Sequence, residues 1–484
     1  MNKRMIFYVL GKLLLVLSAL LVIPFIVSFY YKENISNDKM IIAYLIPIGV
    51  SLILGLLLTI IKPKKKDFFA REGFVIVGLS WVVMSLVGAL PFYISGEISN
   101  YIDAFFETVS GFTTTGASIL ENVEAMSHSL LFWRSFTHWV GGMGVLVFIL
   151  AIMPSDGRNI HILRAESPGP QVGKLVSKLN FTARILYLIY GIMTMVEMVL
   201  LILGGMPLFD AVVNSFATAG TGGFGIKADS VGGYNNYCQI VIGIFMLLFG
   251  INFNFFYLIL IKRFKQAFKC EEVFWYLGII CLATISIFIN LYLTVGGSLG
   301  IIFKDSFFQV SSIMTSTGFA TVNFDLWPSF SKTILVVIMF IGACAGSTGG
   351  GLKVSRVIIL IKNSFNHIKK LLHPNLITNV HFEGNTVDEN TVRGVSNYFG
   401  IFMMILLFVT ILISVDGFSF TTNFTAALSC LNNIGPGLEV VGPMGGYYGF
   451  SYFSKIVLSI TMLIGRLEIF PMLILFSPKT WLNK

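Results

Sequence analysis

Long apolar runs alternate with short polar ones from one end of the chain to the other. Runs of about 20 residues, enough to cross a bilayer as helix, recur near 6–30, 41–61, 73–95, 130–153, 183–204, 238–261, 274–295, 333–361, 396–415 and 454–476. The pattern predicts ten crossings. A second pattern lies between them. Loops 97–129, 225–237, 296–332 and 416–453 are poor in Lys and Arg. In or just before them sit apolar segments of about 12 residues, too short to span.

These half-length segments repeat. The first three are "DAFFETVSGFTTTGAS" (103–118), "DAVVNSFATAGTGGFG" (210–225) and "DSFFQVSSIMTSTGFA" (305–320). With Asp103, Asp210 and Asp305 in register, Gly116, Gly223 and Gly318 coincide without gaps. A weaker fourth copy, "TNFTAALSCLNNIGPG" (422–437), puts Thr422 at the Asp position and Gly435 at the Gly position. Internal repeats of this kind govern the whole fold. Each unit reads as outer helix, re-entrant half-helix, Thr/Gly loop and inner helix. The first two helices stand outside the repeat. The predicted fold is an all-α polytopic membrane protein.

Charge adds orientation. Lys62, Lys64, Lys65, Lys66 and Arg71 share one loop; Arg158, Arg164, Lys174, Lys178 and Arg184 share another. Lys262, Arg263, Lys265 and Lys269 lie in a third, and Lys353, Arg356, Lys362, Lys369, Lys370 and Arg393 in a fourth. Basic residues mark the cytoplasmic side, so both termini are expected there. The net charge of +9 is then topology rather than nucleic-acid binding. Composition agrees: 55% hydrophobic and 12% charged residues exclude an ordinary soluble domain. The N-terminal "MNKRMIFYVLGKLLLVLSALLVIPFIVSFYY" is signal-like. It is too long and lacks a small-residue cleavage site, so it reads as a retained helix. Five scattered cysteines, with no CxxC pair, indicate neither a metal site nor a disulfide framework. With no soluble domain at either end, any regulatory domain is expected on another chain.

Re-entrant backbone is tolerated at membrane depth only when buried in protein or lining a watery cavity. Four half-helices around one axis would aim their partly negative C-terminal ends inward and favour a cation. Loop carbonyls can replace a cation's hydration shell. Glycine supplies backbone angles that a Cβ forbids. Threonines 113–115, 221, 315 and 317 can orient the loops through side-chain-to-backbone bonds.

The repeats, with "THWVGGMGVLV" (137–147), "RAESPGP" (164–170), "TSTGFATVNF" (315–324), "GACAGSTGGGLKVSR" (342–356), "NNIGPG" (432–437) and "GRLEIFP" (465–471), resemble the Trk/Ktr/HKT potassium-transporter superfamily. The two extra N-terminal helices (1–66) point to its TrkH branch. The resemblance implies four M1–P–M2 repeats around one pore, here 67–180, 181–270, 271–390 and 391–484. It implies a K⁺ selectivity filter at Thr114, Thr115, Gly116, Thr221, Gly222, Gly223, Thr317, Gly318, Ile434 and Gly435. Gly223 rather than Gly222 takes the filter register, because Phe224 then matches Phe319. K⁺ itself would be held by Thr115, Gly116, Gly222, Gly223, Thr317, Gly318, Ile434 and Gly435, as transported cargo rather than a bound cofactor. The resemblance also implies a homodimer in the bacterial cytoplasmic membrane and a cytosolic TrkA-type nucleotide-binding ring.

One apolar run is interrupted. "GACAGSTGGGLK" (342–353) separates "TILVVIMFI" from "VSRVIILI". It is not a phosphate loop: Leu352 separates Gly351 from Lys353, and the Gly-Lys-Ser/Thr succession is missing. Two readings stand, a static packing kink and a gate below the Gly318 loop. The gate would comprise Gly342, Ala345, Gly346, Ser347, Thr348, Gly349, Gly350, Gly351 and the intramembrane Arg466. Arg466 reads either as an electrostatic barrier in the pore or as a structural ion pair. Glu468 is a poor partner for it, since residues two apart on a helix do not share a face. Glu107, expected to start the first half-helix, reads as a cap or as a cation-attracting vestibule group. Glu197 is expected to pair within the bundle, and His138 to be packed and hydrogen-bonded.

The reading that follows is K⁺ uptake through a gated pore, channel-like or ion-coupled, and not an enzyme, since no paired ligands occur at ligand spacing. The alternative is an ion-coupled secondary transporter for a cation or solute. Such a protein favours inverted repeats, whereas these repeats share one topology.

Overall fold

The computed structural model describes residues 2–36, 39–60, 63, 70–144, 179–376 and 378–481. The basic residues 62, 64–66, 158, 164, 174 and 178 and the "RAESPGP" stretch lie outside the described residues. The chain is a helical polytopic membrane protein, matching the predicted fold class. Two long helices, Lys3–Tyr30 and Lys39–Ile60, come first. They pack closely through glycine: a Cβ added at Gly11 would meet Leu58 Cβ at 2.7 Å, and one at Gly55 would meet Leu15 Cγ at 2.8 Å. Their outward residues, such as Ile53 and Leu57, are large, apolar and exposed, as a lipid-facing surface requires.

Outer helices Ala70–Gly88, Leu179–Leu203, Glu271–Thr294 and Glu389–Ile413 alternate with four shorter helices, Tyr101–Phe112, Leu208–Gly220, Leu299–Met314 and Phe420–Asn432. The short ones rise about 18–24 Å at 1.5 Å per residue, less than a bilayer core. Two of the four starts are fixed by side-chain caps. Asn100 Oδ1 accepts from Ile102 N at 2.8 Å, and Ser419 Oγ from Thr422 N at 3.1 Å. Such caps satisfy orphan N–H groups at a helix start. Inner helices His128–Gly142, Asn236–Phe249, Ser329–Ile341 and Tyr452–Arg466 follow the short helices in turn.

The inner helices are interrupted where the apolar pattern predicts continuous runs, and the unbroken spans are the two N-terminal and the four outer helices. Among the described residues, six helices are long and apolar enough to span, or seven with one bent pair counted as a span. The expected continuous run 238–261 is broken: Asn236–Phe249 and Phe253–Leu260 meet at 90°. The run 454–476 is likewise broken, between Arg466 and Ile469, with Glu468 at φ +61°. The first inner helix, His128–Gly142, is followed by a turn at Met143, and the rest of the expected run, 145–153, lies outside the described residues. Apolar-window counting is blind to such breaks, because two or three residues such as Gly250–Asn252 or Leu467–Glu468 barely lower the average set by their apolar flanks.

A small hairpin, His381–Phe382 paired with Asn385–Thr386, precedes the last outer helix. Its turn residues Glu383 and Gly384 have φ +53° and +76°. Two positive φ angles suit a two-residue hairpin.

Candidate functional site: a ring of four loops over a broken helix

Each short helix ends in the same backbone device. A non-glycine residue turns left-handed, at Thr114 (φ +56°), Thr221 (+54°), Ser316 (+56°) and Asn433 (+54°). Two residues on, a glycine does so: Gly116 (+79°), Gly223 (+71°), Gly318 (+88°) and Gly435 (+99°). In this repeat of backbone angles Gly223, not Gly222, matches the other three glycines.

The four loops close on one another. A Cβ added at Gly116 would overlap the Gly222 carbonyl oxygen, one at Gly223 the Thr317 carbonyl, and one at Gly318 the Ile434 carbonyl. One at Gly435 would come within 2.7 Å of the Thr115 carbonyl, which returns the sequence of contacts to the first loop. Every contact pairs a glycine with the carbonyl just before the next glycine. The ring therefore runs through Thr115, Gly222, Thr317 and Ile434. Glycine is required here by close approach as well as by φ.

Threonines fasten two loops alike. Thr113 Oγ1 donates to Val109 O and meets Thr115 Oγ1, both at 2.7 Å. Thr315 Oγ1 donates to Ser311 O and meets Thr317 Oγ1, again at 2.7 Å. In the second loop Thr221 Oγ1 donates to Gly220 O at 2.6 Å. The fourth loop, without threonine, uses Asn433: its Nδ2 donates to Thr115 Oγ1 at 2.9 Å and to Met462 O at 3.0 Å. Tyr447 Oη adds a bond to Gly435 O at 2.8 Å. The sequence reading passed over Asn433, although its place at the left-handed position of the repeat marks it.

Ion pairs stand behind the ring. Glu107 is neither a cap nor a vestibule group: it lies in the middle of Tyr101–Phe112, buried against Arg134 Nε at 2.6 Å. It also accepts from Ser118 Oγ at 3.0 Å and Ile119 N at 2.9 Å. Arg134 Nη1 donates to Gly225 O at 2.9 Å, and its guanidinium lies 3.4 Å from the centre of the Phe224 ring. The pair thus joins the first loop to the second. Losing one partner of a buried pair costs about 3–5 kcal/mol. Lys455 Nζ meets Asp103 Oδ1 at 2.7 Å, joining the last inner helix to the first short helix. His138 is buried, its Nδ1 2.7 Å from Gly111 O. Glu197 is buried as well, and among the described residues no ion pair to it is seen.

Beneath the ring runs the interruption read from sequence. Helix Ser329–Ile341 stops, and Val354–Leu372 resumes after an unwound loop. Gly342, Gly346 and Gly351 have φ +75°, +72° and +85°. The loop touches the ring from one side. Gly350 N donates to Ser316 Oγ at 2.5 Å, and a Cβ at Gly349 would lie 2.8 Å from Thr315 O. A Cβ at Gly350 would overlap the Asn432 carbonyl. Arg466 reaches the same loop: Nη1 donates to Thr348 O at 2.8 Å, and Nη2 to Gly141 O at 2.6 Å and Gly142 O at 2.7 Å. Glu468 accepts from Arg356 Nη2 at 2.6 Å. Ser347 Oγ closes on Cys344 O at 2.6 Å, and Thr348 Oγ1 on Phe249 O at 3.2 Å, where the second inner helix breaks. Lys353 Nζ folds back onto Gly349 O.

This arrangement, four short helices ending at a glycine–carbonyl ring, can coordinate a cation stripped of its water. A family model described as TrkH, cation transport protein, matches residues 43–483. The chain belongs to the TrkH family of cation transport proteins. It is 35% identical to the Trk system potassium uptake protein TrkH of Escherichia coli strain K12, over 99% of this chain and 100% of that one. It is 32% identical to TrkG of the same strain, over 99% of each. The crystal structure of the potassium transporter TrkH from Vibrio parahaemolyticus superposes with a TM-score of 0.89 at 31% identity, covering 100% of both chains. This TrkH-family chain shares its fold and its length with those relatives.

Proposed function

We propose that this chain is the pore-forming subunit of a potassium uptake system in the bacterial cytoplasmic membrane. Both termini are cytoplasmic in this reading, and the four repeats 67–180, 181–270, 271–390 and 391–484 surround one pathway. The observation that carries it is the closed contact sequence Gly116–Gly222, Gly223–Thr317, Gly318–Ile434, Gly435–Thr115. Four short helices direct their C-terminal ends at that ring, which favours a cation. The carbonyls of Thr115, Gly222, Thr317 and Ile434 then substitute for its hydration shell. The relatives named for potassium uptake support K⁺ as the cargo. Thr114, Thr221 and Asn433 set the loop geometry.

The Gly342–Gly351 loop and Arg466 act as the gate. Two features support this: the loop lies against the underside of the ring, and Arg466 is hydrogen-bonded to it. Withdrawal of the loop opens the path. We assign the driving movement to a cytosolic TrkA-type nucleotide-binding ring and the assembly to a homodimer, each protomer with its own pore.

Reconstitution tests this directly. In proteoliposomes loaded with K⁺, the chain with its partner ring and nucleotide takes up tracer rubidium. Equal uptake in empty vesicles would overturn the assignment.

A further inference from the structure

The helix that opens the third repeat, Glu271–Thr294, begins with two adjacent carboxylates that grip different things. Glu271 Oε1 takes the Lys362 ammonium, and Glu271 Oε2 accepts from Glu383 N at 3.2 Å. Both contacts lie beyond the unwound loop, on the helix that follows it and on the hairpin. Glu272 turns to the loop itself. It is 3% exposed, and its Oε1 accepts from Ala345 N at 2.7 Å and from Ser355 N at 3.0 Å. One oxygen therefore ties the loop before its glycine run to the first turn of the helix after it.

This bond pattern answers a need that the interruption creates. Unwinding frees backbone N–H groups at membrane depth, where each unsatisfied group is costly. A carboxylate held in the first turn of a neighbouring helix is itself stabilised by that helix's dipole. Charge-assisted bonds of this kind are about twice as strong as neutral ones. Opposite it, the Arg466 guanidinium takes the loop's carbonyl at Thr348. The loop is thus held between an anion that accepts its N–H groups and a cation that donates to its C=O.

We propose that Glu272 is the latch of the intramembrane loop, a positioning residue that keeps the loop across the ion path. The latch rests on the reading of that loop as the gate. Glu271 couples it to the outside, because a pull on the hairpin or on Lys362 acts on the same helix end that carries Glu272. Gating force then enters at the hairpin and arrives at Ala345 and Ser355 through one helix turn.

The test uses the full chain in proteoliposomes without any partner, and three variants: Glu272→Gln, Glu272→Asp and a deletion of 345–349. Two quantities are read. One is tracer rubidium uptake. The other is the rate at which a membrane-impermeant methanethiosulfonate modifies Cys344, followed at that residue by mass spectrometry. Cys344 lies in the loop and is 0% exposed. Glu272→Gln should raise both by about tenfold, the size expected when charge-assisted bonds become neutral. Glu272→Asp keeps the charge but shortens its reach, and should raise both several-fold; it carries the test if the amide variant does not fold. If the deletion raises uptake while neither Glu272 variant moves both quantities, the latch is wrong and the gate stands. If the deletion leaves uptake unchanged, the gate itself fails.

Discussion

The glycine ring and the Gly342–Lys353 loop are both unwound backbone inside a helical membrane protein, yet they are held in opposite ways. The ring is built four times and locks backbone against backbone: each glycine receives the next loop's carbonyl. Its side-chain fasteners, Thr113, Thr315 and Asn433, sit on three separate loops, so losing one loosens the ring without opening it. The loop beneath is built once, in the third repeat. Beyond a few backbone bonds to the break at Phe249–Asn252, such as Cys344 N to Gly250 O at 3.1 Å, it is held by side chains from separate elements: Glu272, Ser316 and Arg466. Contacts of that kind can be exchanged one at a time. Repetition suits a rigid selector, and a single asymmetric insertion suits a moving part.

The contrast is sharpest at Arg466. Arg466→Ala removes bonds to three carbonyls on two elements, at Thr348, Gly141 and Gly142. Basal tracer flux should rise tenfold or more, since bonds to a charged group are worth about 1.5–3 kcal/mol each. Selectivity between K⁺ and Na⁺ should stay near wild type, because the ring is untouched. A collapse of selectivity at unchanged flux would erase the division between ring and loop.

Asn433 tests the ring at its least regular place. Asn433→Ala removes the bonds to Thr115 Oγ1 and Met462 O. The expected effect is a several-fold loss of K⁺ over Na⁺ preference with about 1–3 kcal/mol of stability, measured by ion competition and by thermal unfolding in detergent. Unchanged selectivity would mean that the fourth loop is held by packing alone.

The smallest effect is at the hairpin. Burial, with the nearby Glu272 and Glu271 carboxylates adding to it, pushes the Glu383 carboxyl up to about 7 from an ordinary 4.5. The folded hairpin therefore binds this proton more tightly than the unfolded chain does. Its stability should fall as pH rises from about 4.5 to about 7 and level off above. Hydrogen-exchange protection factors across 380–388 should fall over that range in the wild type and stay flat in Glu383→Gln. A wild type equally flat would show that Glu383 is charged throughout.

Much of the architecture is legible in the sequence. The half-length segments and their register were legible because three copies share an Asp and a Gly at a fixed offset, with no gap. The interruption at 342–353 was legible because three glycines in a row cannot be ordinary lipid-facing helix. The breaks after Phe249 and Arg466 were not, since single glycines and asparagines vanish in a long apolar average. The partner of Glu107 was hidden too: Arg134 lies in "LLFWRSF", an apolar run on another helix, and only the fold brings them together. Glu272 looked like one more charge at a loop boundary. Its role depends on Ala345 and Ser355, more than seventy residues away.

The central claim is that the four-glycine ring selects the ion. The most direct measurement is the K⁺/Na⁺ flux ratio of Gly318→Ser in proteoliposomes, beside Gly278→Ser as a control. A Cβ at Gly318 overlaps the Ile434 carbonyl at φ +88°, whereas Gly278 has open space around it. The account predicts that the ratio falls about tenfold or more in Gly318→Ser and is unchanged in Gly278→Ser. A folded Gly318→Ser protein that conducts with wild-type discrimination would contradict it.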